Sequence, residues 1–485
     1  MTAQPITVIA TLRVLPGHET AALDAIRHCV ALSRQESTNL SYQCHRDIND
    51  PAVFVFVERW ASPEALIAHE ETPHFQAMKA TFATALAAPL QCTSPVNSEA
   101  APFRQLGRLA IALFLAYMAV ALPLAAIPVA VLHWPGYGNG LAGLAVGIAF
   151  FSTILSRNHA GQMADTQGGR PCMRTGLMVY VAASLICVLA ALPGLSNAAR
   201  YAIVIVGRLL LGVGESLTIV GMLGWGIGLV GQARAGRVLA WTGAAMYGAF
   251  AVGGPIGLAL YQQAGLGALM GVSALLPLVG LALVHTIPAT PTHAGGRPPF
   301  WQVLGTIRWQ GMAVALQGVG FAALGAFLPL RFIAAHWPGA GLGLTCFGAA
   351  FVAGRFMCGH LPDRIGGLRV ALLSLVVEAA GQYLLWLAPS PVLALAGALL
   401  TGAGCSMVFP ALGVEVVRLV APAMRATALG GFAAFQDLAY GATGPLAGLL
   451  ADRCGYPVVF VLGGACATLG AGIVLALLSG QRAEA

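Results

Sequence analysis

Apolar and polar positions follow two different rules along this chain. Over residues 1–97 the apolar residues come in short groups separated by turn residues. Ile6–Val14 is rich in β-branched residues and predicts a strand, and Pro16-Gly17-His18 predicts a turn. Ala22, Ile26 and Val30 recur at helical spacing within 18–35. Leu40–Arg46 and Ala52–Trp60 predict two more strands, with a turn at Asn49-Asp50-Pro51. Ser62 as N-cap with Pro63 in the first turn starts a helix. A break at Thr72-Pro73 leads into a second helical stretch near 74–87. The order β-α-β-β-α predicts a ferredoxin-like α+β sandwich.

From residue 107 onward the pattern becomes runs of about 20 apolar residues, each long enough to span a bilayer. Twelve are predicted, near 107–132, 140–160, 173–193, 200–224, 238–262, 266–286, 309–334, 342–360, 369–388, 391–416, 427–450 and 456–479. Residues 91–105 are small and polar with two prolines and predict a linker, bounded here at 98–106. The Pro-, Thr- and Gly-rich stretch 287–308 predicts a central loop between six spans (107–286) and six more (309–480). The fold class is therefore a multi-pass α-helical membrane protein of two six-helix bundles behind a small α+β domain.

Composition agrees. The chain is 58% hydrophobic and 9% charged, against about 25% charged for a soluble domain. The net charge of +7 does not mark a nucleic-acid surface. The arginines gather in alternate short loops (Arg104, Arg108, Arg170, Arg174, Arg234, Arg237, Arg364, Arg369, Arg418, Arg425), while the opposite loops carry few, such as Arg200, Arg331 and Arg453. By the positive-inside rule the first set and both termini are expected on the cytoplasmic side of a bacterial inner membrane. The start of the chain has no basic segment followed by an apolar run, so no secretory leader is expected. Ten scattered cysteines form no CxxC pair, and neither a metal site nor a cofactor is expected from them.

The two sets of spans repeat each other. Gly161-Gln-Met-Ala-Asp165-Thr-Gln-Gly168-Gly169-Arg170 returns 198 positions later as Gly359-His-Leu-Pro-Asp363-Arg364-Ile-Gly366-Gly367. Gly212-Val-Gly214 returns as Gly402-Ala-Gly404, and Gly254-Pro255 as Gly444-Pro445, both 190 positions on. Paired bundles around a midplane site are a transporter architecture. In the loop motif, Asp165 is expected just past a helix end, facing the N-terminus of a neighbouring helix as a latch. Its glycines are expected to let helices approach closely. The alternative is a loop that merely fixes topology. Trp225, Trp241 and Trp309 are expected to anchor span ends at the bilayer surface.

Charges inside spans are costly and face a cavity or a partner. Arg208 and Glu215 are seven residues apart and share a helix face. Glu215 is expected to carry a proton, with Arg208 setting its affinity. Alternatively, Arg208 bonds helix carbonyls and Glu215 is a permanently neutral donor. Asp437 and its repeat counterpart Tyr247 are expected at the substrate cavity, and packing alone is the alternative. Glu378, also deep, is expected to bond a neighbouring helix. No phosphate-binding loop is present, which argues against ATP drive.

These residues resemble the major facilitator superfamily. The Gly161…Asp165…Gly169-Arg170 loop looks like its signature between spans two and three. Arg208-Leu-Leu-Leu-Gly212 looks like its span-four signature, and Gly254-Pro255…Gly257 its antiporter-type motif. Leu155-Ser-Arg157-Asn-His159 and Val408-Phe-Pro-Ala-Leu look like the YhhS-type branch. The resemblance implies alternating access and proton antiport of a small organic molecule, sugar- or drug-like. It also places Tyr117 and Gln317 in cavity helices. Thr166 departs from the motif, which has a basic residue there; Arg364 keeps it in the second copy.

The strand–Pro-Gly-His-Glu–helix start, Phe54-Val-Phe-Val-Glu58-Arg-Trp60 and His69-Glu-Glu-Thr-Pro-His74-Phe75 resemble the antibiotic-biosynthesis monooxygenase family. That implies a dimerising α+β domain, with some members oxidising quinols or aromatics without metal or flavin. By resemblance His69 and His74 line a pocket under the sheet with Trp60 and Phe75 as its wall, and the histidines handle a phenolic proton. Simple capping or packing of both histidines is the alternative.

Overall fold

The computed structural model describes residues 6–48, 50, 52–86, 91–93, 100–231, 234–290, 303–421 and 424–484. The chain divides into two compact units, residues 1–104 and 105–485.

The first unit runs β1 (Ile6–Arg13), α1 (Glu19–Ser33), β2 (Asn39–Arg46), β3 (Val53–Trp60), α2 (Pro63–Glu70), α3 (Pro73–Ala85) and β4 (Gln91–Thr93). Its antiparallel sheet has the order β2-β3-β1-β4, the ferredoxin-like order. Alternation decides which side is covered. Val8, Ala10 and Leu12 of β1 and Phe54, Phe56 and Trp60 of β3 are buried, and Ala22, Ile26, Met78 and Phe82 of the helices close over them. Ser62 accepts a hydrogen bond from the Ala65 amide at 3.2 Å as the N-cap of α2. The predicted linker is corrected. Part of the stretch 91–105 is strand β4, and residues 100–106 already belong to a helix. Residues 94–99 lie outside the described residues.

The second unit is all helix: α4 (Ala100–Leu132, which starts at the unit boundary), α5 (Asn139–Thr166), α6 (Gly169–Leu189), α7 (Asn197–Val230), α8 (Ala235–Val284), α9 (Arg308–Ala334), α10 (Leu342–Cys358), α11 (Leu361–Ile365), α12 (Gly367–Leu387), α13 (Pro391–Arg418), α14 (Arg425–Cys454) and α15 (Tyr456–Glu484). Among the described residues, nine helices are long and apolar enough to cross a membrane. The 50-residue α8 holds two of the predicted spans, broken at Gly265, where φ is +76°. The 17-residue α10 and the 30-residue α14 stand where the eighth and eleventh spans are predicted. Most of the predicted central loop, 291–302, lies outside the described residues.

The sequence repeat is a packing repeat. α6 lies along α7 as α12 lies along α13. A Cβ on Gly169 would meet the Trp225 amide nitrogen at 2.3 Å, and one on Gly367 would meet the Ala411 carbonyl at 2.4 Å. A Cβ on Gly212 would stand 1.9 Å from the Ala149 carbonyl, and one on Gly402 2.1 Å from that of Phe347. Backbones touch directly at these points, as small residues allow in bilayer helix pairs. Gly168 and Gly366, at φ +98° and +92°, make the same left-handed turn into α6 and α12. One difference breaks the match. Residues 190–196 connect α6 to α7, whereas only 388–390 connect α12 to α13.

Candidate functional site

Four groups expected at a cavity meet protein partners. Glu215 is buried in α7, and its Oε1 accepts the Tyr117 hydroxyl at 2.8 Å from α4. Its Oε2 has no hydrogen-bond partner among the described residues. Arg208 does not pair with it. Instead, its Nε and Nη2 donate to the Ala145 and Val146 carbonyls of α5 at 3.2 and 3.1 Å, which is the carbonyl-bonding alternative. The charges acting on Glu215 include Asp437, Arg208 and Arg157. Asp437 of α14 forms a salt bridge with Arg157 of α5, joining the two bundles. Gln317 of α9 accepts from Gln436 at 3.0 Å.

Tyr247 stacks on Phe351 with centroids 3.5 Å apart, and its hydroxyl stands 3.5 Å from that of Tyr440. Phe250, Phe321 and Phe347 complete an aromatic layer shared by both bundles. Glu378 is fully buried in α12. Gln317 of α9 and Cys405 of α13, on neighbouring helices as expected, stand as hydrogen-bonding neighbours of its carboxyl, and Gly320 packs beside it.

The antiporter-type glycines close one end of the membrane unit. A Cβ on Gly254 would meet Leu344 at 2.8 Å, and one on Gly341 would meet Pro255 at 2.4 Å. The equivalent crossing is tighter: a Cβ on Gly143 would stand 1.9 Å from the Gly444 carbonyl. Gly257 approaches the Leu122 carbonyl of α4 in the same way, at 2.0 Å. At the same end Asp452 accepts from the Asn139 amide, the Asn139 side chain and the Gly140 amide at 3.0, 2.7 and 3.2 Å. A cavity of about 830 Å³ opens there, lined by His133, Trp134, Ala190, Ala191, Arg200 and Tyr261 among others.

The loop motif sits at the opposite end and needs two corrections. Asp165 lies inside the last turn of α5, not beyond it. A Cβ on Gly161 would meet nothing within 4 Å, so close helix contact does not explain that glycine. Gly359 caps the end of α10, and Arg364 sits in the last turn of α11; the side chain of Asp363 lies outside the described ones. Arg170 reaches across to the His285 carbonyl at 2.9 Å, and Arg108 to Thr286 at 2.6 Å, tying the start of α6 and the first turns of α4 to the end of α8. Trp241 and Trp309 are exposed as expected. Trp225 is not an anchor: it is fully buried, and its Nε1 donates to the Pro288 carbonyl at 2.8 Å.

In the N-terminal unit a second cavity, of about 390 Å³, lies between the sheet and α3. Tyr42, Phe56, Glu58, Glu70, Phe75 and Lys79 are among its lining residues. By the alternation of β3, Glu58 points to the same face as Phe56 and Trp60, so a carboxylate is forced inside. Burial pushes its carboxyl above the usual range, against the pull of the Trp60 indole N–H, which it accepts at 3.1 Å. His69, His74 and Trp60 are not part of this lining. They form a cluster that meets the cavity at Tyr42 and Phe75. His69 is fully buried with its ring 4.3 Å from Trp60 and 4.9 Å from Phe75. Glu36 Oε1 stands 2.6 Å from His69 Nδ1 and 2.9 Å from His74 Nε2. Burial holds the His69 imidazole below its ordinary value, although the Glu36 carboxylate acts the other way.

Sequence reasoning missed three residues. Glu36 lies 33 and 38 residues from His69 and His74, and Glu58, two residues from Trp60, entered only as a strand residue. Arg157 entered only as part of a motif, although an arginine inside an apolar run is a signal in itself.

Residues 5–81 match the antibiotic biosynthesis monooxygenase family model, and residues 109–340 and 310–485 match that of the major facilitator superfamily. An uncharacterised transporter of the superfamily from Salmonella typhimurium is 46% identical over 371 residues, covering 76% of this chain and 96% of its own. One from Burkholderia mallei is 40% identical over 370 residues, covering 76% and 90%. Among solved structures, a D-xylose-proton symporter superposes with a TM-score of 0.64 at 15% identity, covering 78% of this chain and 97% of its own. The human organic anion transporter MFSD10 does so with 0.60 at 16%, covering 77% and 99%. Helix pairing, repeat and relatives converge: the chain belongs to the major facilitator superfamily and carries an antibiotic-biosynthesis-monooxygenase domain ahead of its membrane unit.

Proposed function

We propose that the membrane unit is a proton-coupled exporter of a small organic molecule, working by alternating access in a bacterial inner membrane with both termini cytoplasmic. One observation carries this reading: Glu215 is a buried carboxyl with one oxygen held by Tyr117 and the other unpartnered among the described residues. A carboxyl so placed has room for one proton. Its neighbours include Asp437 and Arg157, which pair across the two bundles. Protonation of Glu215 therefore changes the field at the contact that must open and close. Tyr117, Tyr247, Gln317 and Asp437 then face the cargo once the bundles part, and the Gly161–Arg170 and Gly359–Gly367 loops bracket the cytoplasmic mouth.

The test is export of a panel of lipophilic dyes and phenolic compounds from cells making the full chain or Glu215→Gln. The variant is expected to lose at least about tenfold of export driven by a pH gradient while keeping wild-type expression. Undiminished gradient-driven export by Glu215→Gln would refute the coupling.

A second reading concerns the N-terminal unit, which is then a quinol or aromatic oxidase acting on a compound related to the cargo. It rests on the cavity that brings Tyr42 and Glu58 beside Phe56 and Phe75. A phenolic ring fits such a lining, and the Glu58 carboxylate is placed to accept its proton, an effect worth about 10²–10⁴-fold in general. Dioxygen is the oxidant. Purified full-length protein is expected to consume dioxygen with hydroquinones, and Glu58→Gln to slow this about a hundredfold. No consumption with any quinol leaves the domain as a binding or dimerisation module.

A further inference from the structure

We propose that Glu36, His69 and His74 form a binding site for a divalent first-row transition ion, with zinc the ion its donors suit best. Three separate elements bring the donors together. Glu36 lies in the turn between α1 and β2, His69 in the last turn of α2, and His74 in the first turn of α3. Their ligand atoms all lie within 4.8 Å of one another. Two imidazoles and a carboxylate are a donor set that zinc accepts with a fourth position open. With metal–ligand bonds of about 2.0–2.2 Å, donors on a tetrahedral ion stand roughly 3.3 Å apart. The contacts of 2.6 and 2.9 Å need to open by only about half an ångström to admit it. Glu36 and His74 are partly exposed, at 18% and 13% of their side chains, so an ion has a way in and a water can complete its shell. No cysteine joins the set among the described residues, which disfavours soft monovalent copper.

A second observation points the same way. His69 Nε2 is buried and has no hydrogen-bond partner among the described residues. With Nδ1 donating its proton to Glu36, Nε2 is a bare lone pair. Around this ring stand Tyr42, Trp60 and Phe75, and none of them gives Nε2 a hydrogen bond. A lone pair is mismatched there. A cation on Nδ1 moves the ring proton to Nε2, and an N–H suits an aromatic surround. The ion thus relieves a polar group that the protein alone leaves unsatisfied. The cavity at Glu58 does not include these three donors, and the two sites adjoin at Tyr42 and Phe75.

The test uses the untagged full-length chain in detergent, stripped with chelator, incubated with zinc chloride and desalted. Metal analysis is expected to give about one zinc per chain. Glu36→Gln and His74→Asn, both at partly exposed positions, are each expected to retain less than about a tenth of that. His45→Ala, an exposed histidine outside the cluster, is expected to retain all of it. His69→Gln risks unfolding the domain, so the other two variants decide the outcome. Zinc is also expected to slow amide hydrogen exchange in β3 and α2 of the wild type and of neither variant. Failure of the wild type to retain zinc, or equal retention by Glu36→Gln and His74→Asn, overturns the proposal.

Discussion

Asp437→Ala is expected to lower transport by at least about a hundredfold and to reduce thermal stability in detergent. The change leaves the Arg157 guanidinium in the centre of the membrane unit without its carboxylate. Removing one partner of a buried pair costs about 3–5 kcal/mol, because the survivor stays charged and unsolvated. Each 1.4 kcal/mol is a factor of about ten. Both side chains are nearly enclosed, at 14% and 13% exposure, so solvent screening does little to soften this. Arg157 has an added burden, since its Nε is buried and unpartnered among the described residues. Arg157→Ala is expected to be as harmful. The double variant Arg157→Ala/Asp437→Ala removes both charges and is expected to recover most of the stability but not the transport. If the double variant is no more stable than either single one, the two side chains are not a coupled pair.

Gly143→Ala is expected to hold the Asp452 end of the membrane unit open. The added methyl would stand 1.9 Å from the Gly444 carbonyl, backbone against backbone, with no side chain able to turn aside. Overpacking of this kind costs about 1–3 kcal/mol. Here the strain is relieved by parting α5 from α14 rather than by unfolding either bundle, so a shift of tenfold or more in the population of the parted state is expected. Tyr456→Cys, made in a background where exposed Cys454 is serine, reports this as faster labelling by a membrane-impermeant maleimide. Gly140→Ala is the control, since its methyl meets only side-chain atoms of Leu449 and Asp452, which can move. Equal labelling in Gly143→Ala and the unmodified background would show that this crossing is not a closing contact.

The architecture was largely legible in the sequence because span length and glycine spacing are local properties. Twelve spans, two equivalent halves and the ferredoxin-like order all follow from period and repeat. Glu215 was legible too, since a charge in an apolar run stands out. Its partners were not. Arg208 and Glu215 share a helix face, but a shared face does not decide between pairing and separate bonds. Arg208 turned to the carbonyls of α5 because the Ala145–Val146 backbone passes close by. The N-terminal cluster was half legible. His69 and His74 were visible in one motif, whereas Glu36 is 33 residues from the nearer one and joins them only through the folded sheet. Trp225 misled because its position near a span end looks superficial, while the chain beyond α8 folds back over it.

The longer connection between α6 and α7 has a consequence for how the halves diverge. Gly169 and Gly212 are 43 residues apart, against 35 for Gly367 and Gly402. Four of those eight residues lengthen the connection, and four lengthen the start of α7. Four residues are close to one helical turn, so the added piece raises α7 by about 6 Å without rotating the faces below it. Arg200 stands on that added turn, beside Ala190 and Ala191 of the longer connection, and all three border the 830 Å³ cavity. An insertion of whole turns thus leaves the inherited register of the duplicated body untouched and rebuilds only its rim. The lining of this cavity belongs almost wholly to the first half, with Ile333 the one residue from the second among the described residues, while the glycine crossings at Gly212 and Gly254 keep their 190-residue spacing to Gly402 and Gly444.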